Sequence, residues 1–184
     1  GFTSLMYDGS RKPLSQNIDE TAAIAEMAHD AGISCEGEIG FVGYANGDNS
    51  TGTDPEEAAR FARDSGVDAM AISCGNVHLQ EDKQGGLDVA RIKAIEAVTE
   101  LPLVIHGGSG VPVAQRAQLA AESRICKFNI GTELRMAFGQ ALRAAVTADA
   151  TRFDRVQILR ETADPVKAAA MRVISAFGAP DLRT

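Results

Sequence analysis

"LPLVIHGGSGVP", residues Leu101–Pro112, is the stretch on which the reading of this chain turns. Its apolar core is too short for a helix and rich in branched side chains, so Leu103–His106 predicts a buried β-strand. The strand ends on an imidazole, and the four residues that follow, Gly107, Gly108, Ser109 and Gly110, carry almost no side chain. Pro112–Glu122 then reads as a helix. A strand that opens through a bare loop into a helix is the unit of a parallel α/β sheet, and in such sheets ligands bind at the C-terminal strand ends.

The same unit recurs on both sides. Thr3–Asp8, Ile33–Ile39, Ala69–Ser73 and Ile125–Ile130 predict further strands. Leu14–Gly32, Asp54–Gly66, Asp88–Thr99 and Glu133–Ala148 predict the helices between and after them. Ile18, Ala22, Ala25 and Ala28 mark the covered face of the first helix, with Met27 beside it, and Asp54-Pro55-Glu56-Glu57 is a helix start with its cap, proline and first-turn acids in place. A last helix is expected over Asp164–Phe177, with Pro165 in its first turn and Gly178 as its stop. The chain reads as a single domain over 1–184 with a C-terminal helical segment over 150–184. Five strand–helix units leave two architectures open: a doubly wound sheet, or part of a (β/α)8 barrel, which needs eight units.

With 184 residues, 45% of them hydrophobic, and a formal net charge of −7, the chain has the composition of a globular protein without the clustered cations that nucleic acid or an anionic membrane would reward. Apolar runs such as Ala168–Met171 are far shorter than the roughly 20 residues of a membrane span. Cys35, Cys74 and Cys126 are odd in number and form no CxxC pair, which predicts reduced thiols and a cytoplasmic location. A strand within the first few residues after Gly1 suggests a fragment.

Polar residues gather at the strand ends: Asp8 and Ser10, Glu36 and Glu38, Asn76 and His78, His106 and Ser109, Asn129 and Thr132. His78 and His106 on adjacent strand ends, with Glu38 from the strand before, offer the N and O donors that zinc accepts. The alternative is that each histidine is a satisfied polar residue. His29, on a helix, is assigned no function. The glycines after His106 suit an anion held by main-chain N–H groups and a helix N-terminus, or else a tight turn. Gly40–Thr53, "GFVGYANGDNSTGT", reads as a mobile lid or an exposed loop.

The order "MYDGS", "EGEIG", "TDPEEAARF", "GVDAMAISCGNVH", "PLVIHGGSG" and "KFNIGTELR" resembles the class II, metal-dependent ketose-bisphosphate aldolases from about Gly1 to Phe138. The resemblance implies a (β/α)8 TIM barrel of which this chain supplies strands four to eight. It implies Zn2+ bound by His78 and His106, with Glu38 at an alternative metal position. Gly107, Gly108, Ser109 and Gly110 would grip one phosphate, and Asn129, Ile130, Gly131 and Thr132 the second phosphate and the substrate hydroxyls. Gly75 and Gly107 match positions that hold a monovalent cation, Na+ or K+, through carbonyls.

The implied activity is that of a lyase in glycolysis and carbohydrate metabolism. Retro-aldol cleavage between C3 and C4 of a ketose 1,6-bisphosphate gives dihydroxyacetone phosphate and glyceraldehyde 3-phosphate. Fructose bisphosphate is the expected substrate; tagatose bisphosphate, or a non-catalytic sugar-phosphate-binding barrel fragment, is the alternative. No lysine Schiff base is required, although Lys127 lies near a strand end. The family's third zinc histidine and its proton-donor aspartate would precede Gly1, so the isolated chain is expected to be inactive. Leu79 stands where the family has glycine, Gly131 where many members have aspartate, and the loop's nearest carboxylate is Asp48. A small sugar phosphate and a homo-oligomer, dimer or larger, are the implied partners.

Overall fold

The computed structural model describes residues 1–45, 47, 49–79 and 86–178. Five strands form one sheet: β1 (Ser4–Tyr7), β2 (Ser34–Ile39), β3 (Ala69–Ile72), β4 (Leu103–Ile105) and β5 (Ile125–Phe128). Every neighbouring pair is parallel, and the spatial order β1-β2-β3-β4-β5 is the chain order. That order separates the two architectures. A doubly wound sheet reverses direction at a switch point, whereas right-handed crossovers that always step the same way place every helix on one face and curl the sheet toward a barrel.

The helices between the strands are α1 (Leu14–Asp30), α2 (Pro55–Asp64), α3 (Val89–Glu96) and α4 (Val113–Glu122). The start of α2 is as its sequence dictates: the Asp54 carboxylate accepts the N–H groups of Glu56 (2.9 Å) and Glu57 (3.1 Å), and Pro55 occupies the first turn, where no N–H is needed. One side of the sheet packs against these helices through Cys35, Ile39, Met70, Ile72, Leu103 and Ile105, which meet Ile18, Phe61, Ile92 and Leu119. Gly37 belongs to the same side. A Cβ there would lie 2.8 Å from Phe61 Cζ and 3.0 Å from both Thr21 and Val67.

On α1 the covered face carries Ile18, Ala25 and Ala28 as expected, but it also includes Asn17 and Thr21, while Ala22 is only half-buried and Met27 is exposed. The polar pair is satisfied internally: Asn17 donates to the Glu38 carbonyl at 2.9 Å, and Thr21 donates to Asn17 Oδ1 at 3.0 Å.

Strand β5 is irregular in one place. Leu103 pairs with Ile125 but Val104 pairs with Lys127, so Cys126 is an extra residue in the ladder. Because side chains alternate along a strand, this bulge lets Ile125 and Phe128 both join the helix side while Lys127 faces the opposite side.

The described residues fall into two compact units, one over Gly1–Asn129 and one that begins at Ile130. The second contains α5 (Thr132–Ala148) and α6 (Arg155–Ala176), which pack on each other. Here one expectation is corrected. The last helix starts at Arg155, capped by Asp154, whose carboxylate accepts Val156 N–H at 2.9 Å, and Pro165 lies inside it. A proline removes one helical hydrogen bond and crowds the preceding turn, a local cost that packing along α5 offsets. Among the described residues no helix is long and apolar enough to cross a membrane.

Candidate active site

The side of the sheet opposite the helices carries charge. Glu36 and Glu38 on β2, and His106 directly after β4, are each 5% exposed or less. The strand period explains the convergence, since Glu36 and Glu38 alternate with Cys35, Gly37 and Ile39 and so emerge together. His106 lies between them. Its Nε2–H donates to Glu36 Oε1 at 2.9 Å, and its Nδ1–H to Glu38 Oε2 at 2.9 Å. The second oxygen of Glu36 accepts from Lys127 Nζ at 2.6 Å, the lysine that the bulge in β5 turns this way.

Burial works against charge on the His106 ring, but the hydrogen bonds to Glu36 and Glu38 outweigh it and push the imidazole up to about 9. For Glu36, burial is likewise outweighed, and its hydrogen bonds to His106 and Lys127 hold the carboxyl below its ordinary value. Charges in this cluster are paired, as buried ions must be.

His78 is half-buried, its ring centroid 5.9 Å from that of His106. Its main chain is tied to the loop after β2: Ala45 N–H donates to the His78 carbonyl at 2.9 Å and His78 N–H to the Gly43 carbonyl at 2.8 Å. The Tyr44 ring packs on the His78 imidazole with centroids 5.0 Å apart. Gly43 and Val42 are buried, Phe41 bridges Thr51, and Ser50 Oγ donates to the Asn76 carbonyl at 3.0 Å. The described part of Gly40–Thr53 is therefore anchored to the sheet end, although Tyr44, Ala45, Thr51 and Gly52 are exposed; Asp48 lies outside the described residues.

Asn76 braces the site, a role its sequence position did not disclose. It accepts Cys74 N–H at 2.7 Å and donates to the carbonyls of Ile72 (3.2 Å) and His106 (3.0 Å). Leu79, next to His78, adopts a φ of 58°, a value that favours the glycine usual at this place in the resembled family.

After His106, Gly107 takes a φ of 62°, and a Cβ there would lie 2.4 Å from the Val77 carbonyl oxygen. Glycine is required at that position by both conformation and space. Gly108–Gly110 form a single 3₁₀ turn, in which Gly108 N–H donates to Asn129 O at 3.1 Å and Gly110 N–H to Gly107 O at 3.2 Å. Two of the main-chain donors expected for an anion are thus already engaged, Gly108 with the end of β5 and Gly110 within the turn. Gly75 has a φ of 96°. Asp8 is occupied locally, accepting from Ser10 N–H at 3.0 Å and Ser10 Oγ at 2.6 Å. Asn129 closes the first unit, with its N–H on the Ile105 carbonyl at 2.8 Å. Ile130, Gly131 and Thr132 belong to the second, where Gly131 precedes α5 and accepts Arg135 N–H at 2.9 Å.

Among the described residues no three histidine, cysteine, aspartate or glutamate side chains are gathered as a metal ion would require. Glu38, His78 and His106 share one strand-end cluster without closing into a three-ligand site, because Glu38 engages the ring of His106 directly. The kind of donor, imidazole nitrogen with carboxylate oxygen, still suits a borderline divalent cation.

Residues 1–181 match the model of the class-II fructose-bisphosphate aldolase family. A fructose-bisphosphate aldolase of Geobacillus stearothermophilus is 34% identical over 182 residues, 97% of this chain and 63% of that protein. A 6-phospho-5-dehydro-2-deoxy-D-gluconate aldolase of Shouchella clausii is 37% identical over 97% of this chain and 62% of its own length. The crystal structure of the YdjI aldolase of Escherichia coli K12 superimposes with a TM-score of 0.75 at 31% identity, covering 97% of this chain and 61% of that one. The chain thus spans just under two thirds of the relatives it matches, and its five sequential parallel strands are a partial (β/α)8 barrel. It belongs to the class II fructose-bisphosphate aldolase family.

Proposed function

We propose that the protein containing this chain is a metal-dependent aldolase that reversibly cleaves a ketose 1,6-bisphosphate, fructose 1,6-bisphosphate first, to dihydroxyacetone phosphate and glyceraldehyde 3-phosphate. The observation that carries this reading is the convergence of Glu36, Glu38 and His78 on His106, directly before the bare turn Gly107–Gly110. His78, His106 and Glu38 are the residues that would hold the cation, zinc by the chemistry of the donors. When bound, such an ion supplies the Lewis acidity that polarises a ketose carbonyl.

The remaining work falls to the protein. Gly107–Gly110 admit a phosphate close to the main chain, where the Ser109 hydroxyl and the N-terminus of α4 favour negative charge. By family resemblance, Asn129, Ile130, Gly131 and Thr132 serve the second phosphate and the substrate hydroxyls. The carbonyls of Gly75 and Gly107 are the candidates for Na+ or K+. No proton donor is assigned within this chain. The cytoplasm and a homo-oligomer complete the proposal.

The test is cleavage of fructose 1,6-bisphosphate by the intact protein, followed by a coupled assay of triose phosphate. Activity should disappear with a chelator and return with zinc or cobalt; activity indifferent to chelation overturns the reading. The phosphorylated deoxyketogluconate for which the Shouchella clausii relative is named is the second substrate to assay, because that relative is 37% identical.

A further inference from the structure

Lys127 has no part in that proposal, and Glu36 enters it only as a neighbour of His106 with no role assigned, yet both are built into the cluster at some structural expense. Glu36 is a buried carboxylate, and Lys127 reaches it from the position opposite Val104, directly after the extra residue in the β4–β5 ladder. Glu36 lies two residues before Glu38 on β2, one side-chain layer further from the strand's C-terminal end. Its two oxygens have different partners, His106 Nε2 and Lys127 Nζ. The ammonium therefore pins the carboxylate, and the carboxylate in turn pins one face of the ring. The other ring nitrogen, Nδ1, is turned to Glu38, the carboxylate nearer the strand end.

We propose that Glu36, held by Lys127, is a positioning residue that fixes the His106 imidazole with its proton on Nε2, so that Nδ1 is the atom offered to a divalent cation. This rests on the metal-dependent reading above. A ring nitrogen that donates to an anchored carboxylate keeps its proton and fixes the ring's orientation, so the proton displaced by a cation is the one on the opposite nitrogen, now donated to Glu38, and that nitrogen gains the lone pair for a ligand bond. Loss of such an outer partner typically weakens metal binding about 10–100-fold.

The experiment is competition of Zn2+ between a chromophoric chelator and the intact protein, in wild type, Glu36→Ala, Glu36→Gln and Lys127→Met. Thermal melting of the metal-free proteins is recorded alongside. Glu36→Ala should bind zinc about 10–100-fold more weakly. Glu36→Gln, whose amide oxygen still accepts from Nε2–H, should restore most of the affinity, and Lys127→Met should lose less than Glu36→Ala. Ring 15N spectra of zinc-loaded wild type should show the His106 proton on Nε2.

Zinc affinity within twofold of wild type in folded Glu36→Ala, or a wild-type ring protonated on Nδ1 in the zinc-loaded form, overturns the positioning role alone. Wild type that takes up no zinc overturns the metal reading itself, and the positioning role with it. If Glu36→Ala does not melt cooperatively, the wild-type ring spectrum and the Glu36→Gln affinity decide.

Discussion

On one side of β2, Gly37 has no space for a methyl group beside Phe61; on the other, Glu36 and Glu38 hold an imidazole between two carboxylates. The residues are consecutive, and only the two-residue period of the strand separates them. The helix side is intolerant of volume, because close-packed apolar atoms have nowhere to move. The site side is intolerant of unbalanced charge, because each buried ion depends on a partner. A substitution harmless to one side can therefore be ruinous to the other.

The comparison predicts its own largest effect. His106→Leu nearly conserves volume but leaves Glu38 without its ring partner and Glu36 with one partner fewer, and it should destabilise the fold by about 3–5 kcal/mol, the usual cost of breaking a buried pair. Adding Glu38→Gln to His106→Leu should recover part of that loss in urea unfolding. A His106→Leu protein as stable as wild type would break the distinction between the two sides.

Gly37→Ala tests the other side with a single methyl group. Its Cβ would fall 2.8 Å from the Phe61 ring, so about 1–3 kcal/mol of overpacking strain is expected, relieved in part by Phe61→Leu. The partial rescue is what sharpens the contrast, since a smaller neighbour can relieve crowding but not missing charge.

The smallest effect lies at the far end of β2, where charge is exposed. Asp68 accepts Cys35 N–H at 2.8 Å and pairs with His29 at 2.9 Å, and these interactions, the backbone bond first, hold its carboxyl below the ordinary 3.8. A carboxyl depressed in the folded state contributes stability above its unfolded value and loses that contribution as acid protonates it. Solvent screens a pair about half exposed, so Asp68→Asn should cost no more than about 1 kcal/mol at neutral pH. Its gap from wild type in chemical unfolding should close as the pH drops below about 4.

The strands and most helices were legible because each obeys a local rule: apolar runs of strand length, Asp54 and Pro55 opening α2, and His106 followed by glycine at a strand end. Strand order was not legible, since consecutive and doubly wound sheets share the same local pattern; hydrogen-bonded neighbours distinguish them. The start of α6 was misplaced because Pro165 is a good first-turn residue, and only packing against α5 explains a proline within the helix. Within the site, His78, His106 and Glu38 could be named from type and spacing. Lys127 and Glu36 could not be joined in advance, because they are 91 positions apart in sequence and an unannounced bulge precedes the lysine. Asn76 was similarly hidden: its work is on main-chain carbonyls, which leave no trace in a pattern of side chains.

The extra residue at Cys126 has a consequence for how such a chain can change over generations. Loss of the Cys126 codon would leave Ile125, Lys127 and Phe128 in regular alternation opposite Leu103, Val104 and Ile105, each on the side it now occupies, whereas loss or gain of a codon at a paired position exchanges inside for outside along part of the strand. Point substitutions can explore this segment one side chain at a time, but a single-residue length change away from Cys126 acts as a parity error. The strand is thereby tolerant of a length change at its bulge, where Cys126 is exposed, and locked in length at its paired positions.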